Sequence, residues 1–142
     1  MTIHDTAVAY TAVATASSGR DGRVASDDGR LDVVAGPPKE MGGSGAGTNP
    51  EQLFAAGCSA CFQGALGVVA RQEEADITGS TVTASVSIGK TEAGGFGLEA
   101  AICAAIPNVD AVTAQTLIEK AHQLCPYSNA TRGNVKVALS VA

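Results

Sequence analysis

Four cysteines are the residues of this 142-residue sequence with the widest chemical capacity. Cys58 and Cys61 form the C-x-x-C segment "CSAC", Cys103 lies in "AAICAAI", and Cys125 opens the segment "CPYSNATRGN". A thiolate is a nucleophile, a redox group and a metal ligand, whereas a buried thiol also serves as a small apolar packing group. Four cysteines without a secretory signal favour reduced thiols, metal ligands or redox chemistry over a structural disulfide framework.

The C-x-x-C pair leaves several interpretations open. Its spacing matches redox motifs, but those place the first thiol at a strand-to-helix turn, whereas this pair lies two to three turns inside a predicted helix. As a zinc half-site it lacks a second ligand pair at a matching spacing. We predict that Cys58 and Cys103 are small packing residues. The non-catalytic alternative is a redox or metal-binding module that uses Cys58 and Cys61.

Cys61 lies too far from the start of its helix for the helix dipole to lower its pKa, because that effect fades within the first turn. A cation from elsewhere must stabilise its thiolate, and Arg20 in the turn "SSGRDG" is the best candidate. Glu51 precedes Cys61 by ten residues, roughly 15 Å along a helix, and so does not reach the thiol of its own chain. If two chains cross these helices antiparallel, Glu51 of one comes level with Cys61 of the other, which gives a site shared across a dimer.

The elements that must position these residues begin with short strands. Residues 7–16 predict a strand, "SGRDGR" predicts a turn, and residues 23–26 and 31–34 predict a hairpin joined through "DDG". A Gly- and Pro-rich loop then covers residues 35–50, a length typical of functional loops in so small a domain.

A long uncharged helix is predicted after this loop. Asn49 is suited to cap it and Pro50 to occupy its first position, and the stretch from Gln52 to Ala70 contains no charged residue. That length raises the question of a membrane span. The stretch is rich in Ala, Gly, Ser and Gln and has no second copy in the sequence, which favours a central helix buried on all sides.

The remainder predicts a second hairpin, a helix and a strand. Residues 78–89 and 97–106 alternate in period two around the turn "EAGG". Asp110 caps an amphipathic helix that ends at Pro126 and leads into a polar turn, and residues 135–141 close the chain as a strand. We predict a single α+β domain over residues 1–142, with antiparallel sheets around a buried central helix.

Composition excludes several classes of partner. The net charge is −5, the isoelectric point is near 4.8, and the nine Lys and Arg residues are scattered singly, so no basic stripe is available for nucleic acid. The first residues contain no basic segment followed by a leucine-rich one, which predicts a cytoplasmic protein without a membrane partner.

Taken together, these motifs resemble one known family. "TNPEQLFAAGCSACFQGAL" and "CPYSNATRGNVKV", with "GRDGRVASDDGRLDV" before them and "GGFGLEA" between, are similar to the organic hydroperoxide resistance proteins, a branch of the family named after osmotically inducible protein C. The similarity covers essentially the whole chain in the family's order and spacing. It implies an OsmC-like fold and an intertwined homodimer with two sites at the subunit interface.

The resemblance also implies roles for individual residues. Cys61 matches the family's peroxidatic cysteine, Cys125 its resolving cysteine, Arg20 its orienting arginine and Glu51 the carboxylate partner of that arginine. The family commonly has an aromatic residue where this chain has Cys58, and we predict that Cys58 packs there.

The implied activity is the reduction of organic hydroperoxides, which include alkyl and fatty-acid hydroperoxides, to alcohols. Cys61 becomes a sulfenic acid, Cys125 condenses with it to a disulfide, and an external dithiol resets the enzyme. By resemblance that dithiol is dihydrolipoamide or a lipoylated protein, and no bound cofactor is expected. Phe54 and Phe96 are expected to line an apolar entrance. The catalytic alternative is the osmotically inducible branch, which has the same chemistry with a different peroxide preference.

Overall fold

The fold was described from a computed structural model that covers residues 4–19 and 21–142. The internal contacts of these residues divide them into two compact units, a first that ends at Leu53 and a second that covers Phe54–Ala142. The single-domain organisation stays a prediction.

The first unit contains a three-stranded antiparallel sheet. Strands β1 (Ala14–Ala16), β2 (Arg23–Ser26) and β3 (Asp32–Val34) follow one another in the sheet as they do in the chain. The tight turn between β2 and β3 contains Gly29 at φ +74°, a conformation that suits glycine. A bidentate ion pair joins Arg23 to Asp32 on neighbouring strands, with Nε–Oδ1 and Nη2–Oδ2 distances of 2.7 and 2.6 Å.

The predicted strand over residues 7–16 is mostly wrong, because only its last three residues are β1. Strand β2 offers β1 just three paired positions, and the described residues before β1 form no ladder. A strand pattern becomes a strand only where a neighbour supplies hydrogen bonds. Apolar side chains such as Tyr10, 81 % exposed, therefore remain uncovered within the single chain.

The predicted long helix is confirmed as α1 (Pro50–Gln72). Asn49 caps it, since its side-chain oxygen accepts a 2.8 Å hydrogen bond from the backbone N–H of Gln52. Six residues bury their side chains on one side of the helix: Cys58, Phe62, Ala65, Leu66, Val69 and Ala70.

The opposite side of α1 is exposed, whereas the sequence predicted a helix buried on all sides. Ala56, Ala60 and Gly64, spaced four residues apart, are exposed. Among the described residues α1 is also the one helix whose length and composition suit a membrane span, with a third of the relevant stretch buried. Phe62 and Leu66, however, are fully enclosed by protein, as in the core helix of a globular domain.

The second unit contains a three-stranded sheet of β4 (Thr81–Lys90), β5 (Phe96–Ala105) and β6 (Lys136–Val141). Strands β4 and β5 form the predicted hairpin, closed by a Thr91 N–H to Gly95 carbonyl hydrogen bond of 2.9 Å. Strand β6 pairs parallel to β5, so this sheet is mixed where antiparallel pairing was expected. The helical connection between β5 and β6 returns the chain to the same end of the sheet, which makes parallel pairing possible.

Helices α2 (Ala111–Leu124) and α3 (Pro126–Thr131) form that connection. Asp110 caps α2 as predicted, with a 2.7 Å hydrogen bond from Thr113 N–H to its carboxylate. The segment expected as a polar turn is instead the six-residue helix α3, which Pro126 starts at its first position. The core lies between α1, α2 and β5, and its members include Phe62, Leu66, Ile102, Ala104, Leu117 and Ile118.

Candidate active site

Two cysteines that are 64 positions apart in sequence lie side by side in the second unit. The Sγ atoms of Cys61 on α1 and Cys125 between α2 and α3 are 3.5 Å apart, and both thiols are free. Cys125 is only 1 % exposed, whereas Cys61 is half-buried. A short movement of either side chain is therefore sufficient to bring the two sulfurs to bonding distance, which is about 2.05 Å.

The position of Cys125 follows from the proline after it. Pro126 disfavours helical backbone at the preceding residue, and Cys125 accordingly has φ −64° and ψ 125° between two helices. Its own N–H still donates to the Ala121 carbonyl at 2.8 Å, and its carbonyl accepts from Asn129 N–H at 3.0 Å. Cys125 thus ends one helix and begins the next, which fixes its backbone on both sides.

Tyr127 connects α3 to the helix that carries Cys61. Its backbone N–H lowers the pKa of the Cys61 thiol. Its ring lies against α1, where a Cβ added at Gly57 would be 3.0 Å from the Tyr127 Cε2 and Oη atoms. The ring also packs at a tilt on Phe54, with 6.1 Å between centroids. The absence of a side chain at Gly57 permits this close approach of the Tyr127 ring.

Burial raises the pKa of the Cys61 thiol above its ordinary value. The Tyr127 N–H opposes this shift because it stabilises a thiolate, while the neighbouring Cys125 adds to it. The described groups therefore leave Cys61 protonated at neutral pH, and a reactive thiolate requires a further positive charge. Arg20, the predicted source of that charge, lies outside the described residues.

A third thiol borders the same pair. Cys58 is 5 % exposed and lies one helical turn before Cys61. It lines a small, largely apolar cavity together with Cys125 and the residues Ala100, Ile102, Tyr127, Ser128, Thr131 and Val137. Burial, with added repulsion from Cys125 and Cys61, raises the pKa of Cys58 to about 11. At neutral pH Cys58 is a protonated thiol, in accord with its predicted role as a packing group.

Sequence reasoning missed a polar cluster at the α2–α3 turn, which contains Cys125. His122 Nδ1 and the buried Ser128 Oγ are 2.8 Å apart. The Arg132 guanidinium donates to the His122 carbonyl and to Asn129 Oδ1, each at 2.7 Å. These contacts tie the last turn of α2 to α3. The available signal was the three-residue spacing of His122 and Ser128 on either side of Cys125.

Three comparisons with known proteins agree on the kind of protein this is. A family model for OsmC-like proteins matches residues 42–140. The chain belongs to the family of OsmC-like proteins. Within it, the chain is 52 % identical to the organic hydroperoxide resistance protein of Xanthomonas axonopodis pv. citri, over 95 % of this chain and 96 % of that protein. It is 45 % identical to the organic hydroperoxide resistance protein OhrB of Bacillus subtilis, over 93 % and 97 %.

Solved structures of OsmC-like proteins show the same fold. The organic hydroperoxide resistance protein from Elizabethkingia anophelis superimposes with a TM-score of 0.92 at 52 % identity, covering 96 % of this chain and 99 % of the other. The protein of that class from Vibrio cholerae, whose crystal contains captopril in one of its active sites, gives 0.92 at 47 % identity, covering 97 % and 95 %. The resemblance to the organic hydroperoxide resistance branch and the predicted α+β fold are confirmed.

The remaining predicted site residues of this OsmC-like protein are less closely gathered. Phe54 joins Tyr127 as described, but Phe96 lies at the hairpin end of β5 and is 68 % exposed, away from the cysteine pair along that strand. Glu51 lies in the first turn of α1 and is half-buried. Their roles stay predictions. Cys103 is half-buried on β5, and within residues 4–19 and 21–142 no three His, Cys, Asp or Glu side chains are grouped to hold a metal ion.

Proposed function

We propose that this chain detoxifies peroxides as a thiol-dependent peroxidase that reduces organic hydroperoxides, such as alkyl and fatty-acid hydroperoxides, to alcohols. The observation that supports this most is the 3.5 Å separation of the Cys61 and Cys125 sulfurs. The names of relatives at about half identity support the substrate class.

In the proposed first step, the Cys61 thiolate attacks the O–O bond of the hydroperoxide. The attacked oxygen stays on sulfur as a sulfenic acid, and the other oxygen leaves with a proton as the alcohol. We assign to Arg20 the stabilisation of the thiolate and the orientation of the peroxide, with Glu51 as the carboxylate that holds it. The raised pKa of Cys61 is the physical reason that such a cation is needed.

In the second step, the Cys125 thiol attacks the Cys61 sulfenic acid, a disulfide forms, and water leaves. Cys61 is half-buried and so accessible, whereas Cys125 is fully buried, which suits the first for meeting substrate and the second for resolving. Condensation protects the sulfenic acid from further, irreversible oxidation.

The third step is reduction of the disulfide by an external dithiol. We propose dihydrolipoamide, free or carried by a lipoylated protein, as that reductant, with no bound cofactor. Phe54 beside Tyr127 is proposed to contact the apolar part of the substrate, with Phe96 as a second contact. We further propose that the protein acts as a cytoplasmic homodimer.

The test is a dihydrolipoamide-dependent peroxidase assay with cumene hydroperoxide on the native protein, Cys61→Ser and Cys125→Ser. We expect Cys61→Ser to lose at least about 1,000-fold in kcat/KM, since it lacks the nucleophile. Cys125→Ser should consume the first equivalent at the native rate and then become overoxidised. Cys103→Ser is the matched control and should keep native activity. Full activity in Cys61→Ser would overturn the proposal, and a preference for hydrogen peroxide would contradict the proposed substrate class.

A further inference from the structure

A third cysteine, Cys58, borders the proposed Cys61–Cys125 pair. The Cys61 and Cys125 sulfurs are 3.5 Å apart, and Cys58 lines a small cavity together with Cys125. Cys58 and Cys61 are three residues apart on α1, so they lie on the same side of the helix. Cys125 thus has a possible disulfide partner in each of two successive positions of one helix.

Helix geometry determines whether Cys58 is able to form a disulfide with Cys61 or with Cys125. Side chains three residues apart in a helix have Cβ atoms about 5–6 Å apart, whereas a disulfide requires about 3.5–4.5 Å. A Cys58–Cys61 bond would therefore distort the middle of α1. Cys125 lies between two other helices, and it lines the same cavity as Cys58. A Cys58–Cys125 bond therefore does not require α1 to distort.

We propose that Cys58 is a second resolving cysteine. By thiol–disulfide exchange, its sulfur replaces the Cys61 sulfur in the disulfide with Cys125. The inference rests on the proposed function, because the Cys61–Cys125 disulfide is its starting point. The Cys58 thiol loses a proton and its sulfur attacks the Cys125 sulfur. The Cys61–Cys125 bond breaks, and Cys61 leaves as a thiolate. One disulfide is exchanged for another, with no oxidant or reductant consumed.

The surroundings of Cys58 and Cys61, the two sulfurs that compete for Cys125, favour transfer of the disulfide from Cys61 to Cys58. Burial raises the pKa of both thiols, but the Tyr127 N–H lowers that of Cys61, whereas no contribution identified for Cys58 lowers its pKa. A sulfur that is costly to ionise is better held in a disulfide, and the more acidic thiol is the better leaving group. The exchange therefore ends with a buried Cys58–Cys125 disulfide and a free Cys61 that is again able to attack a hydroperoxide.

Disulfide mapping after one equivalent of cumene hydroperoxide tests the exchange on the native protein. Free thiols are alkylated in acid at successive times, the disulfide is then reduced and labelled with a second reagent, and fragment masses assign the labels on Cys58 and Cys61. We expect the first label to move from Cys58 to Cys61 with time. Because the attacking group is the Cys58 thiolate, the transfer rate should rise about tenfold per pH unit between pH 7 and 9.

A second equivalent of hydroperoxide gives an independent readout. In the native protein it should convert the freed Cys61 to a sulfenic acid that dimedone traps. In Cys58→Ser the Cys61–Cys125 disulfide should persist, with at least about tenfold less trapping. Cys103→Ser is the matched control and should behave as native.

The outcomes separate this inference from the proposed function. A Cys61–Cys125 disulfide that forms and persists in the native protein at every pH would overturn the exchange and leave the peroxidase intact. Failure of Cys125 to enter any disulfide, while hydroperoxide is not consumed, would overturn both. A Cys58–Cys61 disulfide would also overturn the exchange, since it would show that α1 distorts instead.

Discussion

At the residue scale, the backbone position of Cys125, the proposed resolving cysteine, depends on His122, which lies one helical turn before it. His122 holds Ser128 across the α2–α3 turn, and Arg132 binds the His122 carbonyl. Burial first, and then the Arg132 charge, lower the pKa of His122 below 6.5. The imidazole is therefore neutral in the folded protein at neutral pH, and its protonation opposes the folded state.

The pH dependence of stability tests this arrangement. Because the folded pKa of His122 is lowered, its contribution is fully present above pH 6.5 and is lost as the pH falls from 6.5 through the folded pKa. The native free energy of unfolding should therefore decrease more steeply between pH 7 and pH 5 than that of His122→Asn, which does not titrate. Urea unfolding at fixed protein concentration measures both. His4→Asn, which removes the other histidine, should retain the native slope; an equally steep slope in His122→Asn would contradict the argument.

At the element scale, α2 packs against both the central helix α1 and the mixed sheet. Leu117 and Ile118 are 1 % and 0 % exposed and pack in the cluster that includes Phe62 of α1 and Ile102 of β5. The Lys120 ammonium also contacts the Glu73 carboxylate beyond the end of α1. Because Cys125 is attached to the end of α2, the packing of this helix sets the distance between the two sulfurs.

Leu117→Ala should lower the free energy of unfolding by about 2–5 kcal/mol, through lost burial and a cavity in the core. Val112→Ala on the same helix is the matched control, since Val112 is 78 % exposed, and it should change stability by no more than about 0.5 kcal/mol. Urea denaturation followed by circular dichroism measures both variants. Equal effects at the two positions would show that α2 is not packed as described.

At the scale of the whole molecule, the single chain leaves apolar surface uncovered. Ala56, Ala60 and Gly64 form an exposed small-residue stripe on α1, which allows another backbone to approach closely. Tyr10, before β1, is 81 % exposed without a neighbouring strand in the described chain. Both features support the proposed homodimer, in which a second copy covers them.

Ala60→Glu should dissociate that dimer, because it places a charge where two helices are proposed to meet. Sedimentation should give the native protein about twice the 14.1 kDa chain mass and the variant about the chain mass itself. Thr116→Glu, on an exposed position of α2, is the matched control and should remain dimeric. A native protein that sediments as a single chain, or an Ala60→Glu dimer of native strength, would refute the assignment of this stripe as the interface.

The sequence by itself determined the elements whose signals are local. Asn49 and Asp110 cap the helices they were predicted to cap, since a capping side chain needs only the next three residues to form its hydrogen bond. The turns of both hairpins were likewise predictable from adjacent residues. The motifs around Cys61 and Cys125 were long enough to indicate the family, which the comparisons confirm.

The tertiary structure alone decided what depends on distant partners. The polar segment after Pro126 forms α3, which continues from α2 and whose Tyr127 ring packs on Phe54 of α1. A six-residue polar segment is too short to show the helical periodicity that would have predicted this helix. Strand β6 is parallel to β5 because the α2–α3 connection returns the chain to the end of the sheet at which β5 begins. The residue composition of a strand does not indicate its direction. Likewise, only the fold brings Cys58 to the cavity that Cys125 lines, since the two are joined by packing and not by the chain between them.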